Sequence, residues 1–404
     1  MNYLTRMSYD TKGYTVQQIL TNFHNKILEI IDLVNSNELT CEEARNILQE
    51  IKNVLLPIEV RKILDEFVAD GTLESLININ KLNQLQEQIN ELKNKFITDI
   101  YYPNYKGCSI WLTPTTPTQN IDEYFEQMVE CEMNSVYIIT WSTVTDTGSS
   151  ITITNTISDS KIQYCIDKAK EKGINDICLK LHINNSLNYQ PYNYDVFLEK
   201  WKEIVFHYRD ISLTNNLSEI IIANEMKYIC GFSYSKWEEI ILPVKQSGLK
   251  VAANFSGVRD FYNCCFINDL DVIGINYYPT IQQNENEVIT QQLCNERFYQ
   301  IINALEEIKT LYPNKKLVVS EVGCSNNVHA LMVTSSNSNF PSTNTSLLPQ
   351  KLYTETVFGL LGSKPNLLDG VYWFCFDKGN VRFGFYDNPE AIENVKKYKV
   401  GGVI

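Results

Sequence analysis

Ile220-Ile221-Ile222-Ala223-Asn224-Glu225-Met226 and, further along, Leu317-Val318-Val319-Ser320-Glu321-Val322-Gly323 are built alike, each a short, largely β-branched run that meets a glutamate. Short apolar runs of this kind, set between polar segments, read as buried strands. Outward from these two, strand signals recur over 107–113, 135–141, 176–183, 219–225, 250–255, 271–278, 316–322 and 369–376, with helical spacing in between. Eight β-then-α units predict an α/β fold, a (β/α)8 or TIM barrel, whose chemistry sits at the C-terminal ends of the strands. Glu225 and Glu321 then end two different strands and converge at one mouth.

Paired carboxyls in that position are what hydrolysis of a glycosidic bond needs. One protonates the leaving oxygen while the other attacks or stabilises the anomeric carbon. A single glutamate near a strand end is more often a solvated or capping residue, so the pair carries the reading. Asn224 adds to it, because a neutral amide beside the acid can bind a sugar hydroxyl without competing for its proton. Glu225, poorly solvated and close to a second negative charge, is expected to have a raised pKa and to start protonated.

Other strand ends share the same rim. His182 ends the third strand in Leu179-Lys180-Leu181-His182, where a substrate-binding role competes with that of a satisfied structural histidine. Tyr277 and Tyr278 end the sixth in Ile273-Gly274-Ile275-Asn276-Tyr277-Tyr278-Pro279, and a phenol there could donate to Glu321. Trp373 on the eighth strand, with Trp111 and Trp141 ending the first and second, offers indole faces for sugar rings; burial in the barrel wall is the competing explanation. The helix over 194–211 carries Phe197, Trp201, Ile204, Val205 and Tyr208 on one stripe, which is packing. A long polar loop, Cys324 to Thr345, leaves the rim beside Glu321 and is expected to be a substrate lid.

Composition narrows the partners. The chain has 404 residues with 44% hydrophobic and 21% charged content, enough for one large domain and a smaller one. A net charge of −13 argues against nucleic acid and against insertion into or docking on an anionic membrane, which call for clustered Lys and Arg. Four histidines, at 24, 182, 207 and 329, without a His-x-His pair, argue against a metal-dependent hydrolase, and no cofactor is expected. Eleven cysteines with no Cys-x-x-Cys spacing read as small buried hydrophobes made in a reducing cytoplasm, the adjacent Cys264 and Cys265 in a helix. Neither a signal peptide nor a membrane span is expected, so that action outside the producing cell would require lysis or assembly into a particle.

Residues 1–103 read differently from 104–404. They show helices over 16–36, 40–56 with Thr40 and Glu43 as a capping box, and 58–70 closed by Gly71. Leu82, Leu85, Ile89, Leu92 and Phe96 then form a short coiled-coil seam within 79–96. The expectation is an all-α N-terminal attachment domain ending in a coiled coil, the seam serving as a helix-packing face or joining copies as a homo-oligomer.

Taken together, Asn224-Glu225, Tyr277, Glu321 and Trp373 on successive strands resemble the pattern of glycoside hydrolase clan A. The phrases 273–279 and 319–323 look most like family 113, and the resemblance covers about residues 105–400. It implies retaining double displacement, with Glu225 as acid/base and Glu321 as nucleophile, their carboxyl groups about 5–5.5 Å apart. Ala223 stands where many relatives have Gly. No Asp-Glu or Asp-x-Glu acid motif stands at the end of an expected strand, which argues against substrate-assisted hydrolysis. Residues 59–77, from Glu59-Val60-Arg61 to Ser75-Leu76-Ile77, resemble a segment of tail appendage proteins of phages of Gram-positive bacteria. That implies a virion tail enzyme, bound to other tail proteins through its N-terminal helices and acting on a bacterial surface polysaccharide or peptidoglycan glycan. The alternative is a receptor-binding tail protein whose barrel holds the glycan with little turnover.

Overall fold

A computed structural model describes residues 104–400, apart from 337, 339, 365 and 399. The helices expected over 16–36, 40–56 and 58–70, the 79–96 seam and the 59–77 segment lie outside the described residues.

The strands are β1 (Tyr105–Trp111), β2 (Ser135–Asp146), β3 (Ile151–Asn155), β4 (Asp176–Ile183), β5 (Glu219–Asn224), β6 (Lys250–Ser256), β7 (Val272–Asn276), β8 (Lys316–Val322) and β9 (Gly370–Phe374). All but β3 run parallel in the order β1-β2-β4-β5-β6-β7-β8-β9, and β1 pairs with β9 to close the barrel. Outside them lie α1 (Thr118–Glu130), α2 (Asp159–Glu171), α3 (Tyr194–Thr214), α4 (Tyr234–Gln246), α5 (Val258–Tyr262), α6 (Gln291–Phe298), α7 (Gln300–Leu311), α8 (Leu348–Gly362) and α9 (Pro389–Lys397). Side chains of Ser158, Asn193, Thr290 and Asn388 accept backbone N–H groups at the starts of α2, α3, α6 and α9, satisfying donors that a helix leaves free.

One element differs from the expected eight-fold alternation. β2 runs past residue 141 to Asp146 and returns as β3 in an antiparallel hairpin. Asp146 makes the turn by accepting from Gly148 N, and its other oxygen receives Tyr189 Oη and Tyr192 N, which pins the hairpin to the loop after β4. The Ser/Thr alternation of this stretch resembles a polar βα connection in sequence, yet the same alternation suits a strand with one solvated face.

Two packed layers hold the barrel. Inside, Tyr137, Cys178, Ile221, Ala252, Val272, Val318 and Tyr372 fill the lumen, with the Tyr137 and Tyr372 rings stacked 3.6 Å apart. Gly107 permits that stack, since a Cβ there would lie 2.5 Å from the Tyr372 ring. Outside, the strands bury their other face under the helices, and the α3 stripe of Phe197, Trp201, Ile204, Val205 and Tyr208 is buried as expected. Trp201 Nε1 donates to Ile222 O at 2.9 Å, which ties α3 to β5 just before the first glutamate. Cys264 and Cys265 fall in the irregular segment after α5, not in a helix, and Cys265 is exposed.

Candidate active site

Glu225 follows β5 directly and has a left-handed backbone, φ 56°. This region costs a non-glycine residue on the order of 1 kcal/mol, which the surrounding contacts must offset. Its amide donates to Asn254 O on β6 at 2.8 Å, so the turn is held from the neighbouring strand. Strand pairing is irregular at the same height in three places: β5/β6 between Ile221 and Ala223, β7/β8 between Ile275 and Asn276, and β8/β9 between Val319 and Val322. Bulges of this kind re-aim side chains at the rims of barrels.

The structure brings Glu225 and Glu321 to one mouth and surrounds them differently. Glu321, 4% exposed, meets the buried ammonium of Lys180 through Oε1 and accepts from Tyr278 Oη through Oε2 at 2.9 Å. Each of its oxygens therefore has a donor. Glu225 forms no salt bridge among the described residues; Asn276 Nδ2 donates to its Oε1 at 3.0 Å. Glu225 is partly exposed as a residue, yet burial of its carboxyl, reinforced by the charge of Glu321, raises its pKa to about 7. Two carboxyls in contrasting environments are the arrangement that separates an acid from a nucleophile.

Asn224 is fully buried; its Oδ1 lies 3.3 Å from Asn276 Nδ2, and its own Nδ2 has no protein partner. His182 is buried, with Nδ1 2.7 Å from Ile183 O. Burial lowers its pKa to about 4, so the imidazole is neutral and Nδ1–H donates to that carbonyl, leaving Nε2 as an acceptor. Its ring stacks on Trp141 at 5.1 Å, and Trp141 meets Trp111 at 4.6 Å. Both indoles are half-buried, at the ends of β1 and in β2.

Two residues expected at the mouth lie elsewhere. Trp373 is 0% exposed, packs on Tyr353, Phe358 and Phe385, and donates Nε1–H to Phe383 O; it belongs to the outer layer between β9 and α8. Alternation along β9 instead brings Phe374 to the mouth, edge-on to Trp111 at 6.0 Å and to Tyr278 at 6.1 Å. Tyr277 likewise turns to Phe298 on α6, and its neighbour Tyr278 makes the contact with Glu321. Sequence reading missed Lys180, Phe374 and Asn276. Lys180 had a usable signal: it lies two residues before His182, on the same strand face, within an otherwise apolar run.

Among its described residues the 324–345 loop, expected as a lid, is hydrogen-bonded to the segments after β7 and β9. Asn327 bridges Thr345, Asn326 exchanges backbone and side-chain hydrogen bonds with Arg382 beyond β9, and Leu331 O accepts from Ile281 and Gln282 beyond β7. Thr334 adds a bond to Pro279 O at 2.9 Å. Among the described residues no His, Cys, Asp and Glu are grouped as a metal site requires, and no helix is long and apolar enough to cross a membrane. A separate cavity of about 560 Å³, lined in part by Lys250, Asp271, Lys315 and Lys316, lies at the opposite, N-terminal ends of the strands.

Fold and rim together define a closed (β/α)8 barrel with a two-carboxylate mouth. Solved structures with this fold include a complex of a GH113 β-1,4-mannanase (TM-score 0.57, 18% identity, 74% of this chain and 99% of that one). A second GH113 β-1,4-mannanase structure gives 0.58 at 18% identity over 73% and 98%. The GH113 β-mannanase AaManA from Alicyclobacillus acidocaldarius, in complex with ManMIm, gives 0.58 at 14% identity over 74% and 98%. At such identities the likeness is one of fold. No family model and no curated protein matches the sequence.

Proposed function

We propose that the barrel is a retaining glycoside hydrolase, mounted on a virion tail, that cleaves a bacterial surface polysaccharide or peptidoglycan glycan. The observation that carries the enzymatic part is the contrast between the two carboxyls. Glu321 has a donor on each oxygen, from Lys180 and Tyr278, whereas Glu225 is desolvated and meets one neutral amide. The tail assignment is supported by the resemblance of 59–77, and a net charge of −13, which disfavours non-specific binding to anionic wall polymers, leaves selectivity to the cleft.

In the first step Glu225 gives its proton to the glycosidic oxygen as the bond from that oxygen to the anomeric carbon breaks. Glu321 forms an ester to the same carbon, and the Lys180 and Tyr278 contacts reorganise as its charge is spent. In the second step Glu225, now a carboxylate, takes a proton from water; the water oxygen bonds to the anomeric carbon, and Glu321 leaves as an anion. His182 Nε2 supplies an acceptor for a sugar hydroxyl, Asn224 backs the Asn276 amide from the buried side, and Trp111, Trp141 and Phe374 supply ring faces and edges for the sugar's C–H side.

The test is reducing-sugar release from Gram-positive cell wall, from capsular polysaccharide and from β-1,4-mannan, with wild type beside Glu321→Gln. Release by wild type alone is expected from one of the three, with glycan binding kept by the variant. Binding without release from any of them would favour a receptor-binding barrel.

A further inference from the structure

Asn276 closes β7, pairs with Glu321 in the strand register and touches Glu225, so one side chain stands between the two carboxylate strands. Its amide has two acceptors on one side, Glu225 Oε1 at 3.0 Å and Asn224 Oδ1 at 3.3 Å. On the other side Ser320 Oγ lies 2.7 Å from Asn276 Oδ1. In this orientation, Nδ2 toward Glu225 and Asn224 Oδ1 and Oδ1 toward Ser320 Oγ, every one of these contacts pairs a donor with an acceptor. Asn276 is 3% exposed and Ser320 fully buried, so water does not compete for either contact.

The fold makes room for this pairing. A Cβ on Gly274 would lie 2.7 Å from Ser320 Oγ and 2.0 Å from Asn254 Oδ1, so glycine is required beside the hydroxyl. The slip of β8 against β9 between Val319 and Val322 lets consecutive residues, Ser320 and Glu321, both reach partners from β7 and the loop after it, Asn276 and Tyr278.

We propose that Ser320 and Asn276 are positioning residues, a one-way hydrogen-bond relay that keeps Glu225 Oε1 as the acceptor and so leaves its proton on Oε2, ready for the leaving group. The inference rests on the acid/base role of Glu225. The relay also matters in the second step: an N–H donated to Glu225 grows stronger when the carboxyl loses its proton, which favours the base form needed to activate water. Glu321 on β8, Lys180 on β4 and Asp260 on α5 also bear on Glu225 by charge, and the neutral phenol of Tyr278 after β7 faces the same pair of carboxyls. None of these four donates a hydrogen bond to it in the structure, whereas Asn276 does.

The experiment is a pH titration of 13C-labelled glutamate carboxyls in the full chain, with the Glu225 signal assigned by its loss in Glu225→Gln. Wild type is compared with Asn276→Ala, Ser320→Ala and Ser320→Thr, alongside pH–rate profiles. Asn276→Ala is expected to raise the Glu225 midpoint by about one pH unit, a tenfold gain in proton affinity, because a donor to the carboxylate is gone. Ser320→Ala, which deletes one oxygen, should move it in the same direction by less, and Ser320→Thr should restore it. The basic limb of the rate profile should follow the midpoint, with kcat falling more than kcat/KM because the water step suffers most. An unmoved Glu225 midpoint in folded Ser320→Ala and Asn276→Ala would overturn the relay, even if wild type cleaves glycan. A shifted midpoint in a protein that cleaves no glycan would leave the relay standing and remove the hydrolase reading.

Discussion

Glu219 and Glu225 flank the same strand, and burial raises the pKa of both to about 7. Position separates them. Glu219 opens β5 at the N-terminal face, near Lys316, Asp176 and Lys250, whereas Glu225 stands at the C-terminal rim, where barrels carry chemistry. Both folded values lie above the ordinary 4.5, so each glutamate stabilises the fold in its protonated form, fully below pH 4.5, and that contribution is lost as pH rises through 7. Glu225→Gln, which cannot ionise, should therefore be more stable than wild type at pH 8, by about 2 kcal/mol in denaturant unfolding, and no more stable at pH 4. It should also lose about 10²–10⁴ in kcat on a substrate with a poor leaving group, and wild-type kcat/KM should fall on the alkaline side of pH 7. Glu219→Gln should gain stability in the same pH range with activity unchanged. His182 works in the opposite sense: its folded pKa of about 4 lies below the ordinary 6.5, so stability present above pH 6.5 is lost as pH falls toward 4. His182→Gln should flatten that acid-side loss, on the order of 3 kcal/mol, when unfolding is followed from pH 7 to pH 4.

β9 shows how strand phase decides which aromatic serves the site. Side chains alternate across a strand, so Tyr372 and Phe374 share the inward face while Trp373 between them enters the outer core. Residue type suggested the tryptophan; only the register of β9 against β1 and β8 places the phenylalanine at the mouth. Trp373→Ala should cost about 3–5 kcal/mol in stability, as deletion of a buried aromatic does, whereas Phe374→Ala should mainly raise KM with a smaller stability loss. Tyr277 and Tyr278 follow the same logic after β7, since the chain leaves the strand at Asn276 and the second tyrosine turns back to Glu321. The two glutamates were legible because each ends an apolar strand run, a pattern independent of phase. Lys180 carried a signal in its spacing from His182 that was passed over; Asn276 and the hairpin β2–β3 carried none, because pairing register, bulges and the solvation of one strand face are set by neighbouring strands, not by local sequence.

For the molecule as a whole, eight strand–helix units were enough to read the closed barrel and the end at which its chemistry lies. The loop expected as a lid is tied down instead, because Asn326, Thr334 and the Leu331 carbonyl bond to the segments after β7 and β9, contacts between stretches distant in sequence. For the proposed hydrolase, a cleft with two carboxyls already in contrasting surroundings implies that positioning carries much of the rate enhancement. Glu321→Gln should abolish turnover while retaining glycan affinity, since the amide keeps shape but cannot form the ester. The most direct measurement is intact-mass and peptide analysis of Glu225→Ala after incubation with an activated aryl glycoside of the sugar released in the polysaccharide assay. With the leaving group needing no acid and the water step deprived of its base, a single glycosyl adduct is predicted on the peptide containing Glu321, released by added azide as a glycosyl azide of retained configuration. An adduct on another residue, or turnover to an inverted product without any adduct, would contradict it.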